Sequence, residues 1–475
     1  MSTSVFFQPP DGWVGDVIPF EQDGRLWLFY LHERREEPKP GTSWHLVTTQ
    51  NLVDLTDRGV ALSHGSPEDA DFNAYTGSVI RDARGVHHLF YTGQNPARLG
   101  VDGQPVQLVM HASSTDGMST WVKHGEDTFG ASDGLETADW RDPFVFWDED
   151  EGLWRMLIAA RHDTGPQRRR GLIAQCTSTD LQTWAAAAPF WDPGRYITHE
   201  CPEVFHVGDW WYLVYSEFSD AFMTRYRMAR SISGPWLAPE RDTIDGRAFY
   251  AAKSAAIGDR RFFIGWIASR HGEVDDGVWQ WAGTMSILET TQNPDGTLAF
   301  HVPAEISASF DSNVDAGLPA TALEALDGYA AAVGTTALPD QCYIRAEFDI
   351  DPGTAECGLL VRTDTDGEQG YVVRLEPRRG RMVFDRWPRP ITGAAQWHVS
   401  GDVPFAIELE RPADLTGGHH TLEIVLDGSL AVVVLDRQVT LSTRMYNHTG
   451  GRLGIFVGDG ATKVSGIQVM QRTTS

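Results

Sequence analysis

Positive charge is in short supply in this sequence. Against 65 Asp and Glu stand 39 Lys and Arg, a formal charge of −26 over 475 residues. A surface of that sign repels phosphate backbones and anionic headgroups, which argues against nucleic acid and membranes as partners. Long apolar runs are missing too, so no spanning helix is expected. Cysteine is scarce: Cys176, Cys201, Cys342 and Cys357 lie far apart with no CxxC pair. That fits a reduced chain and leaves no structural zinc site. The opening residues, MSTSVFFQPPDG, have neither a basic start nor a long apolar segment, so they do not read as a secretory signal. A cytoplasmic location is the expectation. Amphipathic helical periods are rare throughout.

Aromatic strands take their place. The 17 Trp, 22 Phe and 12 Tyr make 11% of the chain; such rings fill β cores and also stack on sugars. Five short runs carry many of them: Leu26–Tyr30, His88–Tyr91, Trp154–Ile158, Trp210–Tyr215 and Arg261–Trp266. Each follows a turn signal, from Asp23-Gly24 to Gly258-Asp259, and reads as a strand entered from a hairpin. A polar turn with hydroxyls follows each, around Thr49, Thr115, Thr179, Ile232 and Thr291, at spacings of 66, 64, 53 and 59. Recurring all-strand units of that size predict a radial repeat, here a five-bladed β-propeller over residues 1–303. A large β-sandwich is the rival reading. Residues 304–335 are Ala-rich and poor in aromatics, and read as a linker with some helix. Strands then resume at Tyr343–Ile350, Cys357–Arg362, Gly370–Glu376, Arg381–Asp385, Phe405–Glu410, His420–Leu426, Leu430–Leu435, Leu453–Phe456 and Val464–Met470. This spacing predicts a C-terminal β-sandwich over 336–475. The fold class is therefore all-β.

In a propeller the starts of the innermost strands meet on the axis. The segments expected there are Gly15-Asp16-Val17, Tyr75-Thr76-Gly77, Arg141-Asp142-Pro143, Glu200-Cys201-Pro202 and Tyr250-Ala251-Ala252. Three blades thus offer a carboxylate, Asp16, Asp142 and Glu200, at positions read as equivalent. Paired carboxylates suit glycosidic cleavage: one attacks or activates water, the other is held protonated for the leaving oxygen. Arg141 is expected to keep Asp142 ionised. The plainer alternative is that each acid pairs with a buried Arg or caps a turn.

These segments resemble glycoside hydrolase family thirty-two, the invertase, levanase and inulinase group. Its Trp-Met-Asn-Asp-Pro-Asn-Gly motif is altered to Trp13-Val14-Gly15-Asp16-Val17-Ile18, and its Phe-Ser-Gly-Ser to Tyr75-Thr76-Gly77-Ser78. Its Arg-Asp-Pro and Glu-Cys motifs stand intact at Arg141–Pro143 and Glu200-Cys201. The resemblance covers nearly the whole chain and implies a propeller followed by a sandwich. It implies that Asp16 is the nucleophile, Glu200 the general acid/base and Asp142 a transition-state stabiliser. It also implies a pocket lined by Trp44, Tyr75, Thr76, Arg141, Glu203, Tyr250, Trp266 and Trp281, with Cys201 inert beneath it. Two amides that bind the terminal fructose in the family are replaced here by Gly15 and Leu31, with His32 a candidate substitute.

The expected activity is retaining, exo-acting hydrolysis of a terminal furanoside, first of all a β-fructofuranoside of a small oligosaccharide. A β-D-arabinofuranoside or a difructose dianhydride is the alternative substrate, and transglycosylation the alternative reaction. A non-catalytic sugar-binding propeller and a protein-interaction propeller are rivals of another class. No cofactor and no metal are expected; His87-His88 and His419-His420 are strand neighbours that face opposite ways. Arg168-Arg169-Arg170 reads as a solvated loop tip or a contact for a phosphate or acidic sugar. The oligomeric state is open, a homodimer among the options.

Overall fold

A computed structural model describes residues 4–388 and 409–473. The chain divides into two compact units. One holds Phe7–Trp266 and Ala282–Thr297; the other holds Met1–Phe6, Ile267–Trp281 and Leu298–Ser475. Among the described residues no helix is long and apolar enough to cross a membrane.

Five antiparallel blades make the propeller. The first comprises Trp13–Gln22, Arg25–Glu33, Trp44–Thr49 and Thr56–Leu62, and the second Asn73–Arg81, His87–Leu99, Pro105–Ser114 and Val122–Phe129. The third comprises Leu135–Asp148, Leu153–His162, Gly171–Ser178 and the short Ala185–Ala186. The fourth has Glu200–Val207, Trp210–Glu217 and Met223–Ala229, and the fifth Phe249–Ile257, Arg260–Arg270 and Trp279–Gln292. Asp23 and Gly24 both take positive φ, 56° and 72°, the conformation that a two-residue hairpin needs to match strand twist. The ring closes on itself: Val14 pairs with Gly283 and Phe7 with Met285, so the first residues of the unit latch onto its last blade.

Strand alternation explains the aromatic count. Leu89 and Tyr91 pack with Phe29, Leu31 and Trp44, whereas Phe90 between them packs with Trp140, Met156 and Ile158. Leu157, between Met156 and Ile158, joins Ile173, Val204 and Leu213. Each middle strand therefore buries side chains on both faces, filling successive gaps between blades. Each fully buried large side chain contributes about 1.5–3 kcal/mol of transfer free energy.

The second unit is built on an 11-stranded arrangement ordered around Arg452–Gln471. This 20-residue strand pairs with Gln341–Ile350 through its later half and with Glu356–Thr363 through its earlier half, so it serves both parts of the sandwich. The sequence reading split it in two, ending one strand at Phe456 and starting the next at Val464. Asp459 does take positive φ, 47°, but the strand bends there rather than ending. The stretch expected as linker needs correction. It holds a helix, Ala304–Ala308, but Ala322–Ala337 is a long strand paired with Arg452–Gln471. Its small Ala side chains sit on a largely exposed ribbon, which needs no aromatic core. Within the expected strand Phe405–Glu410, residues 405–408 lie outside the described residues.

Candidate active site

Four innermost strands carry a β-bulge at the same place. Pairing slips by one residue between Val14 and Val17, Tyr75 and Gly77, Arg141 and Phe144, and Glu200 and Glu203. A bulge re-aims side chains out of strict alternation. Within the third and fourth of these bulges a non-glycine residue takes left-handed φ, Asp142 at 60° and Cys201 at 49°, and Ala251 does so at 52° near the start of the fifth blade's innermost strand. Such backbone is strained by roughly 1–3 kcal/mol per residue and persists only where surroundings enforce it. The pairing also corrects the expected equivalence. Arg141 and Glu200 occupy matching bulge positions, so Asp142 corresponds to Cys201, and Glu200 stands one residue earlier. A one-residue slip within a bulge leaves no mark on the apolar pattern.

The bulges bring the three carboxyl groups into one hydrogen-bonded cluster. Asp16 Oδ2 accepts from Thr76 Oγ1 at 2.6 Å, and Asp16 Oδ1 accepts from Trp266 Nε1 at 3.0 Å. The Cys201 thiol lies 3.8 Å from Asp16 Oδ2, and the Cys201 backbone N–H donates to Asp142 Oδ2 at 2.9 Å. Thr92 Oγ1 accepts from the Asp142 N–H at 2.8 Å and donates to the Thr76 carbonyl at 3.0 Å. Glu200 Oε1 faces Arg141 Nη2 at 3.1 Å, and Glu200 Oε2 accepts from the Tyr250 hydroxyl at 2.7 Å. Phe222 stacks on Tyr250 with ring centroids 4.0 Å apart. The Glu200 side chain keeps 22% of its surface exposed, so the cluster is open to solvent.

Electrostatics follow from this crowding. Burial, then the neighbouring Asp142 charge, raises Asp16 to about 6 from 3.8, against the pull of its Thr76 and Trp266 hydrogen bonds. Burial also raises Glu200; Arg141 and Tyr250 oppose it and Asp142 adds to it. Arg141 does not serve mainly Asp142, as the sequence suggested. Its guanidinium is gripped by Asp139 and by Glu200, while Asp142 Oδ2 is 3.8 Å from its Nε. Burial pushes the Cys201 thiol far up, so it stays protonated and inert.

The other expected residues divide. Thr76, Tyr250, Trp266 and Arg141 touch the carboxyl groups directly. Trp44 is fully buried and donates from Nε1 to the Tyr75 carbonyl at 3.1 Å, so it supports the half-buried Tyr75 instead of lining a surface. Glu203 points away from the cluster. Its carboxylate accepts from Ser254 N at 2.7 Å and from the Ser254 hydroxyl, with Arg261 at 3.9 Å. Trp281 falls in the other compact unit and is exposed. Sequence reasoning passed over Thr92, Asp139 and Phe222, which carry no motif of their own. It placed Lys253 in the fifth blade's axial segment but gave it no role; the side chain is buried and donates from Nζ to the Gly77 carbonyl at 2.7 Å. Among the described residues no group of three His, Cys, Asp or Glu could hold a metal ion.

Comparison with known proteins bears on this cluster. The model of the glycosyl hydrolases family 32 N-terminal domain matches residues 6–300. The chain belongs to glycosyl hydrolase family 32. Sucrose-6-phosphate hydrolase of Escherichia coli is 27% identical over 319 residues, 61% of this chain and 62% of that protein. Levanbiose-producing levanase of Bacillus subtilis is 25% identical over 285 residues, 55% of this chain and 52% of that protein. The matches thus span between half and two thirds of those relatives. The exo-inulinase of Aspergillus awamori superposes with a TM-score of 0.78 over 99% of this chain and 98% of that one, at 17% identity; this likeness concerns the fold, propeller and sandwich together.

Within family 32 this chain departs at Gly15 and Leu31. Leu31 is 1% exposed and packs against Trp44 and Phe29, so an apolar contact stands where an amide was anticipated. His32, on the opposite face of the strand, does not replace it. Its Nε2 lies 3.2 Å from Asp11 and its ring stacks on His45 at 4.1 Å.

Proposed function

We propose that the protein is a glycosidase that removes a terminal β-fructofuranosyl unit from a small oligosaccharide with net retention. The observation that carries this reading is the single cluster in which Asp16 and Glu200 flank Asp142, each with its own donors. Thr76 and Trp266 aim both oxygens of Asp16, which suits a nucleophile fixed in one orientation. Glu200 is the acid, raised by burial and positioned by Tyr250 and Arg141. It gives its proton to the glycosidic oxygen as the C–O bond breaks and Asp16 bonds to the anomeric carbon. Water then attacks that carbon, Glu200 takes the water proton, and the Asp16 ester is released. Asp142 binds sugar hydroxyls beside the positive charge that develops on the ring.

The buried Leu31 favours a second substrate reading, a furanoside whose hydroxyls need no amide partner there, such as a β-D-arabinofuranoside. A site without a given donor does not select for the hydroxyl that donor would bind. Incubation with sucrose, 1-kestose, levan oligosaccharides and aryl furanosides distinguishes the two, with the anomer of the first product read by NMR. A first product of inverted configuration, or no sugar released from any of them, overturns the proposal.

A further inference from the structure

A series of alternating charges runs from Glu200 outward through the third blade. Glu200 Oε1 faces Arg141 Nη2 at 3.1 Å, and Arg141 Nη1 binds Asp139. Arg161 Nε stands 2.8 Å from Asp139 Oδ2, and its Nη1 donates to Glu136 Oε2 at 3.0 Å. Arg170 Nη1 closes the series, donating to Glu136 Oε1 at 2.5 Å. Of the basic run expected at a loop tip, Arg170 thus turns inward. Three carboxylates alternate with three guanidiniums, and the whole is neutral.

The backbone explains the alignment. Glu136, Asp139 and Arg141 share the innermost strand, Leu135–Asp148, and Arg161 lies on its neighbour, Leu153–His162. Leu135 pairs with His162 and Trp140 with Ala160, so residues 136–139 all stand opposite Arg161. Extra residues against one partner make a bulge, which turns side chains out of alternation. Here it brings Glu136 and Asp139 to one guanidinium. Arg161 Nε also donates to the Ile197 carbonyl at 3.1 Å, on the connection that leads into Glu200. Gln107 Oε1, from the second blade, accepts from the Trp140 N–H at 3.1 Å and from Arg141 Nη1 at 3.4 Å.

Stability does not call for such a series. Asp139 is buried and the members beyond it are half-buried. Desolvation offsets much of the attraction in buried ion pairs, and apolar side chains fill such gaps as well or better. The effect falls instead on Arg141. Its guanidinium meets Glu200, Asp139 and, at 3.8 Å from Nε, Asp142. Glu200 itself faces Arg141 and Asp142 from the third blade, the Tyr250 hydroxyl from the fifth, Asp16 from the first and the Cys201 thiol on its own strand. Among these Arg141 is the one cation, and a cation paired with Glu200 alone would strip the proton that a general acid must hold.

We propose that Asp139 and Arg161 are positioning residues for the acid: by dividing the Arg141 charge between two carboxylates they keep Glu200 protonated for the leaving oxygen. The inference rests on the glycosidase reading, with Glu200 as its acid, and one arm of its test needs no turnover. Isotope-labelled glutamate carboxyl carbons, titrated with pH by NMR, report Glu200 directly, its signal assigned by its loss in Glu200→Gln. The alkaline limb of kcat/KM on a fructofuranoside is the second arm. Asp139→Asn removes a negative charge and releases Arg141 to Glu200, so the Glu200 titration should fall by at least about half a pH unit. The alkaline limb should move to lower pH with it. Arg161→Gln leaves Asp139 to pull harder on Arg141, so both should move to higher pH, and Arg161→Lys, which keeps the charge, should bring them back. If either variant melts without cooperativity, Glu136→Gln, at the half-buried outer end, takes its place and should move both to lower pH. A titration unmoved in these variants, or moved the same way by Asp139→Asn and Arg161→Gln, would overturn the proposal, because mere loosening of the blade has no sign. The expected titration shifts in a protein that releases no sugar keep the coupling and remove the hydrolase; normal turnover with an unmoved titration removes the coupling alone.

Discussion

Replacing Asp16 by Asn should abolish turnover and at the same time stabilise the protein, by an amount that grows as pH rises from about 4 to 6 and is full above that. Asp16 titrates at about 6 in the folded chain against 3.8 for a free side chain. Between those values the native state holds the proton more tightly than the unfolded one, so folding stability falls as pH rises through that window. At about 1.4 kcal/mol per unit over roughly two units, the buried carboxylate destabilises the fold by up to about 3 kcal/mol at pH 8. Asp16 is half-buried by its own surface, so water screens part of this and about 1–3 kcal/mol is expected. Asn keeps the shape and one acceptor oxygen for Trp266 or Thr76 while removing the charge. Urea unfolding of both proteins at pH 4 and pH 8 measures the effect. Asp16→Asn should match the parent at pH 4, exceed it at pH 8, and hydrolyse substrate at least 10³-fold more slowly, a loss expected of a nucleophile. A variant no more stable at pH 8 than at pH 4, relative to the parent, would refute the electrostatic reasoning. Near-normal turnover would refute the assignment of the nucleophile.

Other expectations follow from the same contacts. In the parent, kcat/KM should decline as pH falls below about 6, because protonated Asp16 cannot attack; a flat profile down to pH 4 contradicts the raised value. Glu200→Gln should lower kcat by about 10²–10⁴-fold on alkyl glycosides and far less on aryl furanosides, whose leaving groups need little protonation. Tyr250→Phe removes a hydrogen bond that favours ionised Glu200, so the alkaline limb of kcat/KM should move to higher pH, and no movement would mean that Tyr250 only packs. All four cysteines are buried and free. A thiol reagent at pH 8 should therefore label none in the folded protein and all four in denaturant, as counted by mass spectrometry.

The repeat of aromatic strands and the acids before them were legible because both obey rules of sequence spacing. Asp16, Asp142 and Glu200 could be named without coordinates. Which group each acid faces could not. Arg141 follows Asp139 and precedes Asp142, and only the bulged backbone decides that it grips Asp139 and Glu200. Glu203 sits three residues from Glu200 and was grouped with it, but the bulge between them turns it toward Ser254. In the second unit, Gly458-Asp459-Gly460 has the composition of a turn, yet pairing on both sides carries the strand through. Ala322–Ala337 lacked the aromatic signature because its exposed face does not need one. In each case a tertiary partner overrode a local preference.

The bridge between Phe7 and Met285 has a bearing on biosynthesis. A nascent chain exposes its beginning long before the segment that will fasten it has left the ribosome. Asp16 and its partner Trp266 are likewise separated by most of the propeller's translation time. Hydrolytic competence should consequently arise late and abruptly, when the final blade docks, and truncated products of interrupted synthesis should be silent toward sugar.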